Sequence, residues 1–322
     1  MKKPYAICLE PLSEGTKSLL SKALNDKVDM EYFNSVEEGE SKLAEADAIV
    51  VFTKGIKKET LEKAPKCKIV QKLGAGYDKI DREQINKMGA YLTVAKGVNA
   101  RSVAEHAVLL MMATYKRLIV AHNSLLAGKW YKTQLRDYSY EVSGKTVGLI
   151  GVGNIGREVC KLLKGFGCSI YYYDLFRLSA DEEQEYNARY CTVEELLQYA
   201  DIVSLHVALT DQTREMINAE RIALMKNTAI LVNTCRGEVV DEDALYQALA
   251  DERILGAGLD VFNSEPLDPY SKLRTLNNVV LSPHIGGGTM DAIRRVAEIS
   301  ADNIIRAVNG QEPQETNIIR FN

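Results

Sequence analysis

The chain has 322 residues, 46% of them apolar and 26% charged, with a net charge of −4; that is too long for one ordinary core and calls for about two domains. The mild acidity and the lack of a basic stretch exclude nucleic acid and anionic membranes as expected partners, and the longest apolar stretch, AVLLMMATY, is too short to cross a bilayer. Six scattered cysteines without a CxxC pair, four histidines at no metal-ligand spacing and an N-terminus broken by prolines and a glutamate read as a cytoplasmic protein with reduced thiols, no metal and no signal peptide.

In chain order, YAICL, VDMEYF (28–33), DAIVVF (47–52), KIVQKL (68–73) and AYLTV (90–94) read as strands, VDMEYF the weakest of them. TKSLLSKAL, VEEGESKLA, KKETLEKA and REQINKMG lie between them with helical spacing and polar faces. Such alternation predicts a doubly wound parallel sheet. The rhythm then breaks. Ser102 to about Leu126 reads as one long helix, opened by a capping box in SVAE with Ser102 at the N-cap and Glu105 three residues on; a helix at this break suits a hinge between domains. After the loop AGKWYKTQLRDYSYEVSGK come TVGLIG (146–151), CSIYYYD (168–174), DIVSLHV (201–207), TAILVN (228–233), ILGAGLDVF (254–262) and NVVLS (278–282). These are the six strands of a full dinucleotide-binding sheet. The segment from Thr289 to about Val308 is again helical and is expected to pack back on the first domain. The expected division is 1–100 with 289–322 as one discontinuous domain and 101–288 as the other.

The strand TVGLIG runs into Gly151, Gly153 and Gly156, a G-x-G-x-x-G that opens a helix. Glycines there allow a tight turn and bring a helix N-terminus against a pyrophosphate. The next strand ends at Asp174, 18 residues beyond Gly156, where a carboxylate takes the ribose hydroxyls and repels a 2′-phosphate. NAD is therefore the expected cofactor. Arg177, three residues further on, is of the type that serves NADP.

Three polar groups follow the later strands: Arg236 after TAILVN, Glu265 after GLDVF and His284 after VVLSP. Ligands of such sheets bind outside the carboxyl ends of the strands. Moving a hydride from a 2-hydroxy acid to NAD requires a group that takes the hydroxyl proton, and a histidine titrates near working pH. A carboxylate orients the ring and stabilises its charged form, while an arginine grips a carboxylate or carbonyl oxygen with a two-pronged hydrogen bond. The stretch VNTCRGEVVDED raises the choice between Cys235 as a nucleophilic thiolate and Arg236 as the working residue. Hydride transfer needs no covalent intermediate, which favours Arg236, with Cys235 as a small apolar lining residue and Gly237 easing the turn.

The blocks SVAEHAVLL, GKTVGLIGVGNIG, LHVALTDQTREMI, NTCRGEVVDEDAL, GLDVFNSEPL and SPHIGGGT, in this order over nearly the whole chain, resemble the D-2-hydroxyacid dehydrogenases, the family of phosphoglycerate, glyoxylate/hydroxypyruvate and D-lactate dehydrogenases. The resemblance implies a flavodoxin-like substrate domain, a Rossmann NAD-binding domain, D stereochemistry, a homodimer through the NAD-binding domains and closure about a hinge. It implies that Arg236, Glu265 and His284 are the catalytic set and that Asp260 hydrogen-bonds the nicotinamide amide. Ala75 and Gly76 would bind the substrate carboxylate together with Arg236 and His284. Asn154 and Ile155 would lie at the pyrophosphate, with Val207, Thr234, Cys235, Gly286 and Gly287 also at the cofactor. The chain departs from the family pattern at Lys96, Ala208 and Leu175, where proline is common, and Lys54 is a further candidate pocket cation. A non-enzymatic NAD(H)-binding regulator of the same fold is the alternative, and formate or phosphite an alternative substrate class; the Glu265–His284 pair favours a hydroxy or oxo acid.

Overall fold

The computed structural model describes residues 3–74, 76, 77 and 79–320. The first run comprises β1 (Tyr5–Cys8), α1 (Glu14–Leu24), β2 (Asp29–Tyr32), α2 (Val36–Gly39), β3 (Ala48–Val51), α3 (Lys58–Glu62), β4 (Ile69–Lys72), α4 (Arg82–Lys87) and β5 (Tyr91–Val94). Then come α5 (Ala100–Tyr115), α6 (Leu118–Leu126), β6 (Thr146–Ile150), α7 (Asn154–Lys164), β7 (Ser169–Tyr173), α8 (Ala180–Tyr186), β8 (Ala188–Tyr190), α9 (Val193–Tyr199) and β9 (Ile202–Leu205). The chain continues through α10 (Ala219–Ile222), β10 (Ile230–Asn233), α11 (Glu242–Ala250), β11 (Gly256–Leu259) and β12 (Val279–Leu281), and ends in α12 (Met290–Val308). It divides into two compact units: one runs to Asn99 and resumes at Gly288, and the other is Ala100–Gly287. Among the described residues, no helix is long and apolar enough to cross a membrane.

The first unit is a five-stranded parallel sheet in the order β2-β1-β3-β4-β5, which is the flavodoxin-like order. β3 reads AIVV and is buried throughout, as a parallel strand covered on both faces must be. Ser13 starts α1 by accepting the Thr16 N–H at 3.2 Å, and Thr289 starts α12 by accepting that of Ala292 at 3.2 Å. Ala297, Ala301 and Ile304 of α12 share one core cluster with Leu20 and Leu24 of α1 and Ile69 of β4. A buried polar network adds direction to this packing. Gln71 Oε1 accepts from Thr93 Oγ1 at 2.7 Å and from Asn303 Nδ2 at 3.1 Å, so α12 is tied to β4 and β5.

The second unit is a seven-stranded parallel sheet in the order β12-β11-β10-β9-β6-β7-β8; β8-β7-β6-β9-β10-β11 is the six-stranded dinucleotide-binding order, and β12 extends it by one strand beyond β11. Sequence patterning gives six strands here. The seventh, β8, is ARY at the sheet edge; it is too short and too exposed to carry a strand pattern. The adjacent strands share one register. Tyr173, Ile150, Leu205, Asn233, Leu259 and Leu281 form a row of mutual partners across β7, β6, β9, β10, β11 and β12. The residue after each is therefore brought to one rim: Asp174, Gly151, His206, Thr234, Asp260 and Ser282.

Two expectations about the long helix are corrected. It begins at Ala100, so Ser102 is not its N-cap but a buried residue of its first turn, and Glu105 pairs instead with Arg101 at 2.8 Å. It is also not continuous. Arg117 adopts the left-handed conformation (φ 51°) between α5 and α6, and its Nη2 donates to the Leu255 carbonyl at 3.0 Å. That tertiary bond, with no glycine or proline at the break, sets where the helix ends.

Replacing Asn303 by Leu removes a buried donor from Gln71 and a buried acceptor of the Gln314 N–H. The expected cost is about 1–3 kcal/mol, read as a lowered denaturation midpoint in urea at unchanged m-value.

Candidate active site

The chain leaves β6 through Gly151 at φ 96°. A Cβ there would sit 2.6 Å from the His206 carbonyl oxygen, so both conformation and space require glycine. Gly156 packs on the same turn, where a Cβ would come within 2.3 Å of the Gly151 oxygen. Gly153 is the N-cap of α7, offers no side-chain cap, and a Cβ there would meet nothing within 4 Å. The first N–H groups of α7, at Asn154 and Ile155, thus begin an eleven-residue helix at an open, uncapped terminus, a setting that favours an anion. Asp174, at the tip of β7, leans onto this turn: its Oδ2 accepts the Val152 N–H at 2.7 Å and its Oδ1 the Phe176 N–H at 3.0 Å. Further along the rim, His206 Nδ1 and Thr234 Oγ1 are buried without a partner among the described residues. Burial pushes His206 down to about 4, so its ring is neutral at pH 7.

β10 delivers the Asn233–Gly237 segment. The buried Asn233 side chain shapes it, accepting the Cys235 N–H at 3.0 Å through Oδ1 and donating through Nδ2 to the Arg236 carbonyl at 2.8 Å. Arg236 Nη1 donates to the Cys235 carbonyl at 2.7 Å, which bends its half-buried side chain back over the segment. Gly237 has a different task from the one sequence reasoning gives it. Its φ is not left-handed; instead a Cβ would fall 2.0 Å from the Phe262 carbonyl carbon and 2.4 Å from the Asn263 nitrogen. The glycine lets the chain leaving β11 pass against the chain leaving β10. That segment carries Glu265.

Glu265 Oε1 accepts the Phe262 N–H at 3.2 Å, and its Oε2 lies 2.8 Å from His284 Nδ1. The pair is half-exposed, with 32% of the glutamate side chain and 47% of the histidine open to solvent. His284 sits at φ 53°, and its N–H donates to the Asp260 carbonyl at 2.7 Å. Asp260 itself is 2% exposed. Its Oδ1 accepts from Ser282 Oγ at 2.6 Å and from the Ile285 N–H at 2.9 Å, and its Oδ2 accepts the Gly286 N–H at 2.8 Å. His106 Nε2, from α5, lies 2.8 Å from Ser282 Oγ and 3.2 Å from Asp260 Oδ1. Burial alone would raise the Asp260 carboxyl, but the bonds from His106, Ser282, Ile285 and Gly286 outweigh it and hold the group below its usual range.

The structure thus brings Arg236, Glu265 and His284 to one end of three adjacent strands. Two comparisons decide what kind of protein this is. Residues 108–286 match the model of the D-isomer specific 2-hydroxyacid dehydrogenase NAD-binding domain. A glyoxylate reductase of Korarchaeum cryptofilum is 42% identical over 84% of this chain and 82% of its own, and one of Thermococcus litoralis is 43% identical over 84% and 83%. The chain belongs to the D-isomer specific 2-hydroxyacid dehydrogenase family. The dehydrogenase fold is shared with the D-lactate dehydrogenase of Lactobacillus jensenii, solved with NAD+, at a TM-score of 0.83 and 27% identity over 98% of this chain and 100% of that one. NAD is the cofactor, and the residues on the rim fit it: an anion-binding helix terminus left open at Gly153, a carboxylate at the end of β7, and an orphaned hydroxyl on Thr234.

The remaining expected site residues are placed as follows. Val207 follows His206 on the rim, Gly286 is buried against Asp260 and His106, and Gly287 is half-buried beside it. Gly76 lies in the first unit, in the loop after β4; Ala75, its expected partner, lies outside the described residues. Lys54 and Lys96 are exposed residues of the first unit. Glu10, buried at 2%, organises the loop of Lys54, with Oε2 accepting the Thr53 N–H at 2.8 Å and the Lys54 N–H at 3.0 Å. Sequence reasoning missed Asn233, Ser282 and His106 as organisers of the dehydrogenase site. The only signals were a polar residue ending a buried strand, a serine before Pro283 and a histidine in an apolar helix.

Cys235 is buried, and burial pushes its thiol up to about 11, against smaller lowering effects from the backbone and Arg236. At pH 7 the thiolate is about one part in ten thousand. Iodoacetamide is expected to label Cys235 in the native dehydrogenase far more slowly than in urea-unfolded protein, and Cys235→Ala to retain turnover; peptide mass mapping and an NADH assay check both.

Proposed function

We propose that this dehydrogenase reduces a small 2-oxoacid of the glyoxylate or hydroxypyruvate type with NADH, and oxidises the matching D-2-hydroxyacid in reverse. The observation that carries the reading is the 2.8 Å contact between Glu265 Oε2 and His284 Nδ1, on loops leaving β11 and β12, beside Arg236 at the end of β10. Relatives at 42% and 43% identity named glyoxylate reductases support the substrate class.

In this reading NAD(H), once bound, supplies the site that accepts or donates hydride. Asn154 and Ile155 N–H groups hold its pyrophosphate, Asp174 its ribose hydroxyls, and Val207, Thr234, Cys235, Asp260, Gly286 and Gly287 line the rest. His284 uses Nε2, which has no hydrogen-bond partner among the described residues, to give a proton to the carbonyl oxygen or take one from the hydroxyl. Glu265 fixes the tautomer by accepting from Nδ1 and stabilises the imidazolium. Arg236 binds the substrate carboxylate and carbonyl with its planar fork, a geometry that an ammonium cannot reproduce. A formate substrate has no hydroxyl proton to manage, so the Glu265–His284 pair favours a hydroxy or oxo acid.

The test is a 2-oxoacid panel with NADH on the parent, His284→Ala and Arg236→Lys. His284→Ala is expected to lower kcat by ~10²–10⁴-fold, and Arg236→Lys to cost kcat/KM at least about tenfold through the lost fork. Undiminished turnover of His284→Ala on every oxoacid that the parent reduces would sink the assignment.

We also propose a homodimer through the NAD-binding unit. The support is an apolar surface that this unit leaves bare on α5, α6 and the loop beyond: Leu109, Leu118, Ile119, Leu125, Leu126 and Trp130 are all more than two-fifths exposed, more than scattered surface hydrophobics account for. Sedimentation is expected to give a dimer for the parent and a monomer for Leu126→Asp with Trp130→Asp. A monomeric parent overturns the proposal.

A further inference from the structure

Arg177 is the one residue near the expected cofactor site that the sequence leaves without a settled role. It lies three residues beyond Asp174, on a turn that Asp174 anchors by accepting the Phe176 N–H at 3.0 Å. A basic residue in this position is of the type that accommodates a 2′-phosphate. The structure gives its fork another occupant. Nε donates to Glu183 Oε1 at 2.8 Å and Nη2 to Glu183 Oε2 at 3.0 Å. The guanidinium also lies 5.5 Å from the centroid of the Tyr190 ring.

Glu183 is itself held in place. Its Oε1 accepts from the hydroxyl of buried Tyr172 at 2.6 Å, and that hydroxyl accepts the Leu178 N–H at 3.0 Å. It rides on α8, whose start is fixed by a capping box between Ser179 and Glu182. Glu182 in turn accepts from Arg157 Nε, on α7, at 2.7 Å. Only 18% of the Glu183 side chain is exposed. A lone surface ion pair contributes little, but this one is bidentate, buttressed by a phenol and set over the Tyr190 ring, so an incoming phosphate has to displace a positioned carboxylate rather than meet a loose arginine.

We propose that Glu183 is a cofactor-specificity residue, which keeps the NADP-type arginine Arg177 engaged so that it does not recruit a 2′-phosphate. Discrimination then has two independent parts: Asp174 repels the phosphate, and Glu183 withholds the cation that would reward it. The proposal rests on the reading of the turn after β7 as the ribose end of the NAD site.

The experiment measures dissociation constants of NADPH and NADH by isothermal titration calorimetry on the full chain, with no substrate and no turnover. The variants are Asp174→Ala, Glu183→Ala, the double variant, and the double variant with Arg177→Ala. Alanine is a good helix residue, so α8 is expected to persist; Glu183→Gln, which keeps the shape and drops the charge, is the second probe of the same site. Asp174→Ala is expected to lower the NADPH/NADH ratio of dissociation constants. Adding Glu183→Ala is expected to lower it by about tenfold more, a gain of the size of one charge-assisted fork, and Arg177→Ala to abolish that second gain. A double variant with the ratio of Asp174→Ala alone, or a gain that survives loss of Arg177, overturns the proposal. If Asp174→Ala leaves the ratio unchanged while Glu183→Ala lowers it through Arg177, the reading of Asp174 fails and the role of Glu183 stands.

Discussion

One register governs the second unit. Six parallel strands end in a single hydrogen-bonded row from Tyr173 to Leu281. Parallel strands cannot be closed by tight hairpins, so each must hand over to a crossover at this line. Polar residues at the ends of separate strands, far apart in the chain, therefore arrive at one rim without any contact designed to gather them. A slip of one residue in any pair would turn a rim side chain to the other face of the sheet. The buried, β-branched interiors of β9 and β10 hold the ladder, and the rim inherits its precision from them.

Two loops refine what the ladder delivers. Asp260 buries a carboxylate at the end of β11 and satisfies it with a hydroxyl, two backbone N–H groups and a histidine. Because buried acceptors are expensive to leave unmet, those partners are fixed, and with them the loop that presents His284. Gly237 does the complementary job on the other side, letting the chain after β11 run against the chain after β10. Neither device touches the imidazole, yet both bear on the distance between His284 and Glu265.

Much of this was legible in the sequence because it is written in local patterns. The glycine turn before α7, the acid at the end of β7 and the polar residues after β10, β11 and β12 follow from strand punctuation alone. What was not legible depends on contacts between distant segments. The capping-box pattern of SVAE fits a helix start, but the helix had already begun at Ala100, and Glu105 found Arg101 instead. The break at Arg117 answers to the Leu255 carbonyl, and the strand ARY exists because β7 offers it an edge. The glycine at 237 looks like turn chemistry from the sequence; the reason for its missing Cβ is the backbone of Phe262. Arg177 read as an NADP-type residue because nothing nearby in sequence announces that Glu183 occupies its fork.

The backbone of His284 carries a further implication. A non-glycine residue at φ 53° is held in a conformation costing of order 1 kcal/mol that glycine would adopt freely and asparagine more readily than most. The position is thus thermodynamically mismatched to its occupant. Selection for thermal robustness alone would drift residue 284 toward glycine or asparagine, and so away from the imidazole. If His284 carries the proton as proposed, folding and chemistry pull in opposite directions at this residue.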